Sequence, residues 1–261
     1  MGRRRIGRRE IIGALAPALR RSKDILALWE AGAVSFGRFD EWSDIDLYIV
    51  AEDSKVEEAF RLTERALRKL SPIDLRYRVP ASAAHGYEQT FYRLKRASPY
   101  LFIDLAVMKR SAKEKFLEFA IHGKPVVHFD KIGVVREKKV ERKVFLKRLH
   151  KRLEALRTLF PLFRVLVLKE LNRGNDLEAF GYYMGGPYKY LVEALRMRYG
   201  PLHWDFQYRY IHYELPKAVS RKLVRLTYIP DARALRKRFP EAERLFWSTV
   251  KGLRPWLPRD G

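Results

Sequence analysis

The chain has 261 residues, 47% apolar and 13% aromatic, a composition that buries a real core at a length that accommodates two domains. It contains no cysteine, which excludes disulfides, thiol nucleophiles and Cys-ligated zinc, and no apolar run approaches the ~20 residues of a membrane span. Its formal net charge of +23 attracts polyanions and repels polycations.

Residues 1–9 form a basic leader that lacks the uncharged stretch of a secretory signal, so a cytoplasmic protein without membrane contact is expected. Glu10 to Ser22 carries Ile11, Ile12, Leu15 and Leu19 at helical spacing, with Pro17 as a candidate kink. Ile25 to Trp29 reads as a short strand running into the glycine-rich turn Gly32-Ala-Val-Ser-Phe-Gly37. A second strand follows, Ile45-Asp-Leu-Tyr-Ile-Val50, with Asp44 at its start and Asp46 inside it. Ser54 and Glu57 have capping-box spacing and predict a helix to Leu70 with Val56, Ala59, Phe60, Thr63 and Leu67 inward.

Ile73 to Val79 alternates like a strand that stops at Pro80, and a loop around Ser82 to Gly86 leads to a further arm over Tyr87 to Ala97. Leu101 to Met108 is a strongly apolar strand with Asp104 between Ile103 and Leu105. A helix near Ala112 to Ile121 and an edge strand ending at Asp130 complete a first domain over residues 10–133.

Residues i and i+2 of a strand project to the same face, so Asp44 and Asp46 crowd two carboxylates together. A hard divalent cation resolves that repulsion, which makes Asp44, Asp46 and Asp104 candidate ligands for Mg²⁺ or Mn²⁺; Asp74, between Ile73 and Leu75, competes with Asp104 as the third carboxylate.

The pattern Gly32-Ala33, ten further residues, then Asp44-Ile45-Asp46-Leu47 resembles the signature of the polymerase-beta-like nucleotidyltransferases, in their two-domain, small-molecule type. The resemblance implies a mixed-sheet α/β (α+β) domain followed by a helical bundle. It also implies that Asp44, Asp46 and Asp104 hold two metal ions while a nucleoside triphosphate gives its nucleotidyl group to a hydroxyl acceptor. The phosphates would lie against Gly32 and its neighbours. The family's usual serine after the glycine is Ala33 here, so Ser35 or backbone N–H groups must replace its hydroxyl. Arg38 and Ser43 are candidate phosphate contacts, each with an alternative as an ordinary loop residue. From the helical half, Lys189 or Arg196 is a candidate for the β- and γ-phosphates.

Residues 134–261 read as a basic helical domain, with helices over Glu137 to Phe160, Tyr188 to Tyr199 and Glu241 to Leu253 punctuated by Pro161 and Gly185-Gly186-Pro187. Residues 1–130 hold 24 basic against 18 acidic side chains, a net +6, and residues 131–261 hold 30 against 13, a net +17. A solvated basic surface and a nucleic-acid-binding face both account for that excess, and repulsion disfavours a polycationic acceptor. The acceptor is expected to be a small molecule ahead of an RNA end. The alternative function is a non-catalytic nucleic-acid-binding or toxin–antitoxin-type regulatory protein that retains the fold. Arg198 and His203 also match a loose Arg-x4-His pattern of helical RNases, interrupted by Gly200-Pro201.

Overall fold

Alternation at Ile45, Leu47 and Ile49 creates one apolar strand face that must be covered, and the amphipathic helices that flank it in sequence cover it. In the computed structural model, which describes residues 5–80, 86–254 and 256, the chain divides into two units at Val140/Glu141. The first is a mixed six-stranded sheet in the order β3-β4-β5-β2-β1-β6. Its strands are β1 (Ile25–Glu30), β2 (Ile45–Ala51), β3 (Ile73–Arg78), β4 (Glu88–Leu94), β5 (Phe102–Lys109) and β6 (Val126–Asp130). β2 and β5 run parallel, and the other four pairings are antiparallel.

Helices α1 (Arg8–Arg20) and α2 (Val56–Leu70) cover one face, burying Ile11, Leu15 and Leu19 from α1 and Phe60 and Leu67 from α2 against Leu28, Ile45, Leu47 and Leu105. Trp29, Val50 and Met108 on the other face lie under the segment around Phe116 to Phe119, where Trp29 stacks on Tyr48 at 5.7 Å.

The second unit is helical: α4 (Arg142–Arg173), α5 (Asp176–Tyr183), α6 (Lys189–Tyr199), α7 (Ile211–Glu214), α8 (Lys217–Thr227) and α9 (Ala232–Val250), with α3 (Phe119–His122) belonging to the first unit. Its core is built from Leu149, Leu153, Leu156 and Phe160 of α4 with Leu191, Leu195, Phe239 and Phe246, the last stacking on Phe160 at 3.9 Å. The architecture is the expected one, a mixed α/β sheet domain followed by an all-helical unit. No helix among the described residues is long and apolar enough to cross a membrane.

Several local expectations are corrected. Residues 1–4 of the basic leader, and most of the loop around Ser82, lie outside the described residues. Ile6 donates its N–H to Arg96 O at 2.9 Å, and Arg8 already opens α1. Ser54 does not cap α2: it sits in a 3₁₀ turn, Asp53–Lys55, that Asp53 anchors by accepting the Ser111 N–H at 3.0 Å. The helix expected over Ala112 to Ile121 shrinks to α3, because Phe116 takes φ +55° and turns its ring onto Tyr48 and Tyr87. Proline ends neither α4 nor α9. Pro161 and Pro240 lie inside them, and the chain stays helical through Gly185-Gly186-Pro187 as a π-helical turn, Met184–Tyr188. There Gly186 allows the close approach of Phe163, whose Cδ1 a Cβ would meet at 2.4 Å. Val144 is 49% exposed on the first turn of α4.

Candidate active site

The site is built at the start of the parallel pair. Register places Asp46 of β2 beside Asp104 of β5, and partners in parallel register share a face. Asp44, one residue before β2, accepts the Phe102 N–H at the start of β5 at 3.2 Å, so it also spans the two strands. Asp104 accepts from Gln89 Nε2 at 2.7 Å. Burial raises the pKa of Asp104, offset in part by the Gln89 hydrogen bond and raised further by the Asp44 charge. Burial likewise raises Asp44, against the lowering effect of the Phe102 N–H. No basic side chain among the described residues pairs with either carboxylate. Carboxylates on adjacent strands that, like Asp44 and Asp104, have no basic partner among the described residues are the electrostatic setting of a cation.

The competing carboxylate is spent elsewhere. Asp74 lies on β3, two strands beyond β5, and holds Arg93 through both oxygens at 3.2 Å.

Gly32 stands against Asp46. It has φ +64°, and a Cβ there would come within 1.8 Å of Asp46 Oδ2, so only glycine permits both the turn and this approach. The turn is a single 3₁₀ stretch, Gly32–Phe36, closed by Gly37 at φ +65°. Ala33 accepts the Arg38 N–H at 2.9 Å. Ser35 Oγ donates to Glu30 O at 3.4 Å, and its carbonyl accepts the Lys124 N–H at 3.0 Å. Gly123 must be glycine for that clamp, since a Cβ would meet the Ser35 backbone at 2.7 Å. The Arg38 guanidinium lies 5.1 Å from the Phe36 ring centre, and Ser43 Oγ donates to Asp40 at 2.8 Å, tightening the loop before Asp44.

Two features escaped the sequence reading. Gln89 supports Asp104 from a neighbouring strand, a partnership that only register reveals. Arg8 holds both ends of the 30–44 loop. It pairs with Glu30, donates to the Asp44 carbonyl at 2.9 Å and lies 4.8 Å from the Phe39 ring centre. Glu30, only 4% exposed, also receives His128 Nε2 at 2.8 Å.

In the helical unit, Arg196 is not a free cation: it is fully buried, paired with Glu214 at 2.8 Å and bonded to backbone carbonyls. Lys189 lines a cavity of that unit. Arg198 donates to Ser248 O at 3.4 Å while His203 meets Glu214 at 3.0 Å, so the Arg-x4-His residues are directed to different partners.

The donor set, carboxylate oxygens on adjacent strands, suits Mg²⁺ or Mn²⁺. Among the described residues no three His, Cys, Asp or Glu side chains already stand together as a formed metal cage. Magnesium keeps several waters and shares its coordination with phosphates, so it requires no such cage.

No protein-family model matches the chain, and no curated protein matches it. Among solved structures it is similar to an aminoglycoside 6-adenyltransferase from Bacillus subtilis at 14% identity and a TM-score of 0.37, over 97% of this chain and 94% of that one. It is also similar to a STING-associated CdnE c-di-GMP synthase from Capnocytophaga granulosa at 12% identity and a TM-score of 0.27, over 95% of this chain and 84% of that one. Overlaps this loose decide nothing about the chemistry, which rests on the chain's own residues.

Proposed function

We propose that the chain is a metal-dependent nucleotidyltransferase that moves a nucleoside monophosphate from a nucleoside triphosphate to a hydroxyl acceptor and releases pyrophosphate. The observation that carries this reading is the in-register pair Asp46 and Asp104, with Asp44 spanning the same two strands and Gly32 held against Asp46.

The acceptor oxygen attacks the α-phosphorus, the bond from that phosphorus to the β-phosphate oxygen breaks, and the hydroxyl proton must leave. Asp104, beside Asp46 and held by Gln89, is the group to receive it. Asp44 and Asp46 hold the charge-bearing edge, and Gln89 fixes the orientation of Asp104. When bound by Asp44, Asp46 and Asp104, Mg²⁺ or Mn²⁺ supplies the positive charge that the reacting oxygens need. The turn from Gly32 to Phe36 lies beside Asp46, where Ala33, Ser35 and Arg38 would border the phosphates. With Ser35 Oγ turned to Glu30 O, backbone groups take over the part of the missing Ala33 hydroxyl.

A small-molecule acceptor is favoured over an RNA end, and the surplus of positive charge disfavours a polycation. The test is incubation with each α-labelled nucleoside triphosphate and Mg²⁺, in the presence of a metabolite pool or total RNA. Label should pass to a small molecule in an Asp46-dependent manner. Transfer to RNA alone would reassign the acceptor, and no transfer from any of the four nucleotides would overturn the reading.

A further inference from the structure

The helical unit contains a cavity of about 270 Å³. Its walls include Trp204, Tyr208, the Arg152–Glu193 pair, Lys189 and Asp205. We infer that this cavity binds a small zwitterion of the amino-acid class, with its carboxylate on Lys189, its ammonium on Asp205 and its side chain against Trp204 and Tyr208.

Charge makes the first selection. Arg152 and Glu193 satisfy each other through two bonds, one of them 2.8 Å, with Glu193 buried. Lys189 and Asp205 line the same space, yet neither side chain makes a hydrogen bond or ion pair with any described residue, including each other. Opposite charges that share a cavity without meeting leave a gap for a ligand bearing both signs. The lining sums to zero within a half of the chain that carries net +17, so a polyanion finds no excess of positive charge here.

Size makes the second. The volume falls just below the range of about 300–1,000 Å³ usual for larger organic ligands, and suits a single-ring or branched side chain rather than a nucleoside triphosphate.

The cavity wall is also prebuilt. Gln207 and Tyr210 take φ +54° and +60°, a left-handed conformation costly for residues with a Cβ. Arg196 holds them there: it is 0% exposed and donates to Gln207 O at 2.6 Å, to Arg209 O and to His203 O, while pairing with Glu214. Tyr208 in turn stacks on Tyr188 at 6.2 Å. A fixed wall lowers the ordering cost of binding a small molecule.

The experiment is calorimetry of the full chain, without metal or nucleotide, against the individual proteinogenic amino acids, with adenosine and ATP as the neutral-ring and polyanionic probes. At least one amino acid should bind with simple saturation. Its affinity should fall by about tenfold or more in both K189M and D205N, and likewise when its carboxylate is amidated or its amine acetylated. Circular dichroism will establish that both variants remain folded, as expected for partly exposed positions. Absence of heat from every amino acid at about 10 mM, or binding indifferent to both variants, overturns the proposal. ATP binding lost in K189M would assign Lys189 to a phosphate and overturn it equally. These outcomes are independent of whether the chain transfers nucleotides.

Discussion

Asp46 and Asp104 are direct register partners on the parallel strands β2 and β5, although 58 positions separate them in the chain. Their pairing puts two acids side by side where no described basic residue pairs with Asp104.

Asp46→Asn keeps the side-chain volume and removes a ligand charge. Mg²⁺-dependent pyrophosphate release should fall at least about a hundredfold with the circular dichroism spectrum unchanged. Asp74→Asn, which only frees Arg93, should leave turnover within a few-fold of the parent. Equal losses in both variants would refute the assignment of the third carboxylate to Asp104.

Gly32→Ala places a Cβ 1.8 Å from Asp46 Oδ2 in a backbone at φ +64°. It should cost about 1–3 kcal/mol in urea unfolding and abolish turnover. Gly37→Ala is the control, since φ is +65° but nothing lies within 4 Å of the added carbon. That variant should lose about 1 kcal/mol and retain most activity.

Burial raises the pKa of Asp44 and Asp104 above the ordinary aspartate value, so the folded chain holds these protons more tightly than the unfolded chain. In their ionised forms both groups weigh against the fold at neutral pH. That penalty is relieved as pH falls through their folded-state pKa values towards the unfolded one. Asp104→Asn should therefore raise the melting temperature in EDTA. Added Mg²⁺ should stabilise the parent chain and do little for the variant. A melting temperature lowered by Asp104→Asn in EDTA would contradict the electrostatic account.

Arg8→Met removes the clamp on the loop and strands Glu30 with His128 alone. One-sided loss of a buried ion pair costs about 3–5 kcal/mol; Arg8 keeps some solvent contact, so the low end is expected in chemical denaturation. The double variant with Glu30→Gln should recover much of that loss, because no uncompensated charge remains.

Ala33→Ser restores a hydroxyl to the turn beside Asp46. The KM for nucleotide should drop by several-fold with kcat little changed, as expected for added ground-state binding. An unchanged KM would show that backbone groups already saturate the phosphates.

Much of the first unit was legible because strands advertise themselves by alternation. Ile45, Leu47 and Ile49 could only face a core, which put Asp46 on the opposite face whatever the fold. The apolar stripes of α1 and α2 and the glycines of the Gly32 turn were equally local, so the acidic strand and its glycine turn were legible, as was a change to helices, expected from residue 134 where the structure divides the chain after Val140. Pro161 misled at α4 because packing on the helical core outweighs the loss of one hydrogen bond, and Ser54 misled because Asp53 found a partner 58 residues away. The tertiary structure alone tells Asp104 from Asp74, which share the same apolar flanks: it sets Asp104 in register with Asp46 and pairs Asp74 with Arg93. It alone brought Gln89 to Asp104, Arg8 to both ends of the loop, and Arg196 beneath the wall of the helical cavity. Periodicity reports which face a residue occupies, but strand order and long-range hydrogen bonds depend on how distant segments close on one another, and no local pattern encodes that.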